Sequence, residues 1–88
     1  MEKFTFIVEY KGGTYISQHS ALNLKNALFI WAEKLDKKIF SPIKQERIRL
    51  EIQKENNFPT PIKAVDNVWC CCLLSGKYFL LMNIVKTI

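Results

Sequence analysis

Val68-Trp69-Cys70-Cys71-Cys72-Leu73-Leu74-Ser75-Gly76-Lys77-Tyr78-Phe79-Leu80-Leu81-Met82 decides the fold. Two apolar runs flank a short break that can turn at Ser75-Gly76 or at Gly76-Lys77, which reads as an antiparallel hairpin. Successive side chains of a strand point to opposite faces. Either turn therefore sets Trp69, Cys71 and Leu73 beside Tyr78, Leu80, Met82 and Ile84. The other face carries Val68, Cys70, Cys72, Leu74, Phe79, Leu81 and Val85, with polar Asn83. A strand with one wet face alternates apolar and polar residues, and these runs do not, so the hairpin needs cover on both faces.

The rest of the chain must supply that cover. Phe4, Phe6, Val8 and Tyr10 recur at period two, and Gly12-Gly13 is a favoured two-residue turn because both positions tolerate positive φ. Tyr15 to Gln18 returns as the second strand. A turn at Gly12-Gly13 sets Tyr10 opposite Tyr15, Val8 opposite Ser17 and Phe6 opposite His19. Ser20 then serves as N-cap to an amphipathic helix of about four turns. Its stripe is Leu24, Leu28, Trp31 and Leu35, at spacings of four, three and four. Residues 41–55 admit two readings. Ser41-Pro42 looks like an N-cap with proline at the first helical position, and Arg47 and Glu51 stand at a helical pairing distance. Arg47 to Gln53 also alternates like a strand. The Ser-Pro start favours helix. Asn56 to Pro61 reads as a connector, since its two prolines disfavour regular structure.

These elements predict one α+β domain over residues 1–88. It is a two-layer sandwich with a four-stranded antiparallel sheet in the order β-β-α-(α)-β-β, and one long amphipathic helix on one face. Apolar content of 49% places the chain among globular proteins and excludes disorder. No apolar run approaches the roughly 18 residues of a membrane span. The opening Met1 to Glu9 lacks the unbroken apolar core of a secretory leader. Three consecutive cysteines point to alternate strand faces and suit neither a shared metal nor a disulfide framework. Together these features predict a cytoplasmic protein with reduced thiols that react slowly in the native state.

Catalytic chemistry is thin. His19 is the single histidine, there is no phosphate-binding glycine loop, and Cys70, Cys71 and Cys72 lie in an apolar strand that does not favour a thiolate. No enzyme activity, cofactor or metal is expected. The formal charge of +5 is concentrated in residues 34–54, with seven basic against three acidic side chains. Lys44, Arg47, Arg49 and Lys54 could contact nucleic acid phosphates or an acidic partner, although a solvated face is the commoner reading of such a run.

Phe4 to Gln18, Ala27-Leu28 with Trp31-Ala32 and Leu35, and Asn67-Val68-Trp69-Cys70 together resemble small bacterial proteins of similar length that carry no assigned activity. That resemblance spans nearly the whole chain and implies no site. The first hairpin and helix also resemble the antitoxin half of HicB-type toxin–antitoxin pairs. Those domains place a further strand and a Pro/Gly loop before the helix, whereas Ser20-Ala21 leads straight in, and no residue is carried over.

The resulting expectation is a non-catalytic binding or self-assembling protein, a homodimer whose interface is Trp69, Leu73, Tyr78, Leu80 and Met82 if the helix covers the opposite face. Its alternative is a nucleic-acid-binding or antitoxin-like regulator using residues 44–54.

Overall fold

A computed structural model describes residues 1–87. Strand β1 (Glu2–Tyr10) and β2 (Gly13–Ala21) form the first hairpin, followed by helix α1 (Leu24–Glu33) and helix α2 (Pro42–Ile52). A 3-10 turn (Glu55–Asn57) leads to the short strand β3 (Thr60–Pro61), and β4 (Val68–Ser75) and β5 (Tyr78–Lys86) form the second hairpin. The sheet is antiparallel throughout, in the order β2-β1-β5-β4-β3. It has five strands where the sequence predicts four. The fifth is Thr60–Pro61, paired with Cys70 and Trp69. Proline is tolerated there because β3 is an edge strand, where a missing N–H need not break a ladder.

The first hairpin turns one residue earlier than expected. Lys11 and Gly12 both take positive φ, 50° and 80°, the pattern of a type I′ turn. Val8 thus faces Tyr15, Phe6 faces Ser17 and Phe4 faces His19. The pairing slips by two residues, an even number, so every side chain keeps its expected face. Gly13 opens β2 instead, and a Cβ there would come within 2.5 Å of the Tyr15 hydroxyl. In the second hairpin the turn is Gly76-Lys77, with Gly76 at φ 67°.

Pairing of β1 with β2 from Glu2↔Ala21 onward draws Ser20 and Ala21 into the strand, so Ser20 cannot cap the helix. Asn23 does so, its side chain accepting from the Asn26 amide at 2.9 Å. α1 is correspondingly shorter than expected, ten residues. Asp36 ends it by offering an alternative local turn, accepting from the Lys38 amide with its side chain and from the Ile39 and Phe40 amides with its carbonyl. Residues 42–52 are helical, with Ser41 capping the Lys44 amide and Pro42 in the first turn. This resolves the ambiguous segment as a second helix.

Both helices lie on the same side of the sheet. Trp31 of α1 stacks on Phe6 with rings 5.8 Å apart and 3° from parallel. Ile48 and Ile52 of α2 are buried with Leu28, Phe40, Cys71, Leu73, Leu80, Met82 and Ile84 in one core. The Gln45 amide nitrogen donates to the carbonyls of Ala32 and Glu33, at 2.9 and 3.1 Å, tying α2 to the end of α1. Among the described residues no helix is long and apolar enough to cross a membrane.

Candidate functional site

With both helices on one side, the opposite side of the sheet has no second layer among the described residues. The register across four strands specifies what it carries. Ile7 of β1 lies between Ile16 and Asn83; Glu9 lies between Thr14 and Leu81; Leu81 is followed by Cys72, and Leu74 sits opposite Phe79. Exposure is high for large apolar residues, with 67% at Phe79, 65% at Ile16 and 48% at Leu74. Around Leu74 the apolar surface reaches the flank of α2, where Arg47, Leu50 and Lys54 border the same shallow hollow.

Four strands about 4.8 Å apart, each presenting about eight residues at about 3.3 Å, give a face of roughly 500 Å². The face is mixed, with Ile7, Ile16, Leu74, Phe79 and Leu81 set among Thr5, Glu9, Thr14, Gln18 and Asn83, and an apolar patch of a few hundred Å² is often functional.

This face is the reverse of the expected interface. Leu73, Leu80 and Met82 are buried beneath the helices, and Trp69 is half-buried against Phe4 with ring centroids 6.2 Å apart. Tyr78 remains exposed at the sheet end. The reason is non-local. β5 pairs with β1, setting Leu80 beside Tyr10, Met82 beside Val8 and Ile84 beside Phe6. The second hairpin must bury the side that continues the Phe4/Phe6/Val8/Tyr10 surface.

The structure also divides the basic segment. Arg49 lies 3.9 Å from Glu33 and 3.8 Å from Glu46, and Lys54 is paired with Glu51. Glu51 therefore pairs with Lys54 and not with Arg47. Arg47 stays exposed on the outer side of α2. Lys44 stands apart from the others in the first turn of α2, an end that the Tyr10–Phe40 ring contact at 4.9 Å sets beside the first hairpin. The four side chains do not form one surface.

The thiols differ sharply. Cys71 is buried, its sulfhydryl donating to the Asn57 carbonyl at 3.1 Å. Burial, reinforced by the flanking thiols Cys70 and Cys72, pushes it up to about 11. Cys72 is exposed on the open face, contrary to the expectation that all three are shielded, and Cys70 is intermediate.

His19 lies on the helix side, its Nε2 3.0 Å from the Ser17 hydroxyl and its ring edge-on to Phe6 at 5.5 Å. Burial, and then the charge of Lys34, lower its pKa from the ordinary histidine value. A cleft of about 350 Å³ lies nearby, lined by Tyr15, Ser17, Trp31, Lys34 and Asp36 among others. Among the described residues no three His, Cys, Asp or Glu side chains are grouped to hold a metal ion. No family model matches the chain, and no curated protein or solved structure matches it at a significant level.

Proposed function

We propose that this chain is a non-catalytic protein that works by association, and that its first partner is a second copy of itself docked face to face through the open side of the sheet. The observation that carries this reading is the uncovered apolar surface around Phe79, Leu81, Leu74 and Ile16. Two such faces bury together roughly 1,000 Å², near the lower bound for a specific interface. Sheets pack face to face at about 10 Å, with strands within about 30° of one another, so two copies form the missing second layer for each other. A two-fold arrangement needs only one self-complementary patch, and it is the commonest assembly of identical chains. Three free cysteines, one of them exposed, fit a reducing compartment such as the cytosol. The nucleic-acid reading of residues 44–54 has less support, because Arg49 and Lys54 already have carboxylate partners.

Sedimentation of the wild-type chain from low to high micromolar concentration tests this reading. A concentration-dependent dimer is expected, and Leu81→Glu should abolish it while leaving the circular dichroism of the monomer unchanged. A wild-type chain that stays monomeric at high micromolar concentration overturns self-association.

A further inference from the structure

Three lysines that lie far apart in sequence are carried by segments that meet where both hairpins turn, since Tyr10 packs on Tyr78 with ring centroids 6.3 Å apart and on Phe40, just before α2, at 4.9 Å. Lys11 belongs to the β1–β2 turn, Lys77 to the β4–β5 turn, and Lys44 to the first turn of α2. Tyr78 gathers two of them, with the Lys11 ammonium 4.4 Å and the Lys77 ammonium 5.7 Å from its ring centroid. Lys11 is also 5.5 Å from the Tyr10 ring. The base of the group is fixed, because Tyr10 and Ser75 are buried and the Tyr10 hydroxyl lies 3.4 Å from that of Ser75.

The arrangement is electrostatically unfavourable as it stands. Like charges brought together repel, and the N-terminal end of a helix disfavours cations. α2 nevertheless places Lys44 in its first turn, with no acidic residue beside it. Among the described residues none of the three lysines has a carboxylate partner, since Glu33 and Glu46 serve Arg49, Glu51 serves Lys54 and Glu2 serves Lys86. Glu9, the nearest acid in sequence to Lys11, is on the open face of the sheet. Local conflicts of this kind concentrate at functional sites.

We propose that Lys11, Lys44 and Lys77 form a binding site for a phosphate group at the turn end of the sheet. A tetrahedral oxyanion has enough acceptor oxygens for all three ammonium groups, and charge-assisted bonds of this type are the strong ones. The helix end adds a favourable field for an anion. Lys11 is held below the ordinary lysine range, chiefly by the neighbouring Lys44 and then by partial desolvation. A bound phosphate offsets that repulsion. The phosphate can come from a small phosphorylated molecule or from a nucleic acid strand, and the site borders the proposed dimer face, since Lys11 shares a hollow with Phe79 and Leu81.

The test is a titration of the ¹⁵N-labelled full chain with inorganic pyrophosphate, against sodium chloride at matched ionic strength. Amide shifts are expected at Lys11, Lys44 and Lys77 with pyrophosphate alone. Lys44→Gln and Lys77→Gln should each weaken binding about two- to fivefold, the range of an exposed ion pair, and Lys63→Gln should not. A parallel arm uses a single-stranded oligonucleotide. Tighter binding than pyrophosphate, with a salt slope that falls by about 0.7 per lysine removed, assigns the phosphate to a strand. Pyrophosphate binding without oligonucleotide binding assigns it to a small molecule. Shifts that chloride reproduces, or binding by either ligand that survives the Lys44→Gln/Lys77→Gln double variant, overturn the site.

Discussion

Leu80 and Leu81 are adjacent in sequence and lie on opposite sides of the sheet, Leu80 fully buried under the helices and Leu81 38% exposed on the open face. This pair separates folding from association. Leu80→Ala should cost about 2–5 kcal/mol, the range for truncating a core leucine. In monomer at low concentration Leu81→Ala should cost far less. Urea unfolding at a fixed low protein concentration measures both, and equal costs would mean that the open face is already covered within one chain.

The two leucines also mark what the sequence could and could not disclose. Alternation along Trp69 to Leu74 and Tyr78 to Ile84 correctly sorts every residue into one of two faces, because side-chain direction is a local property of the strand. Which face is buried is not local. It follows from β5 joining β1, and from the stronger apolar row on β1, Phe4, Phe6, Val8 and Tyr10. A period-two pattern contains no signal for that pairing. The same holds for the basic cluster. Lys44 was legible as basic, but its convergence with Lys11 and Lys77 depends on two turns meeting one helix start. α2, by contrast, was legible from Ser41-Pro42, since capping chemistry is encoded within four residues.

Gln45 tests how the two helices are held. Its side chain satisfies the carbonyls of Ala32 and Glu33 at the end of α1, groups that have no partner within the helix. Gln45→Ala should lower stability by about 1 kcal/mol, the net worth of an ordinary hydrogen bond. Hydrogen exchange should speed up at the end of α1 in that variant before it does in the sheet. Unchanged protection there would show that water replaces the glutamine without loss.

His19 gives a pH dependence of known sign. Burial favours its neutral form in the fold, with the charge of Lys34 acting in the same direction. Well above the ordinary histidine value of 6.5 it is neutral in both folded and unfolded chains and contributes no slope. As pH falls below that value the unfolded chain takes up the proton first, so stability drops until the folded pKa is passed. The melting temperature of the wild type should therefore fall between pH 7 and pH 5.5 more steeply than that of His19→Gln. Parallel slopes would rule out His19 as the source.

Cys72 reports on association without any substitution. It stands next to Leu81 on the open face and is exposed in the single chain, whereas Cys71 is buried, bonded to the Asn57 carbonyl and pushed up to about 11. The thiolate is the reactive species, so at neutral pH a thiol reagent should modify Cys72 first and leave Cys71 untouched until the chain unfolds. If a second copy docks over Leu81, it shields Cys72 as well. Its modification rate should then fall as protein concentration rises, with a midpoint that matches the dimerisation constant from sedimentation. In Leu81→Glu the rate should be fast and independent of concentration. A Cys72 rate that ignores concentration in a wild-type protein that sediments as a dimer would place the interface elsewhere on the molecule.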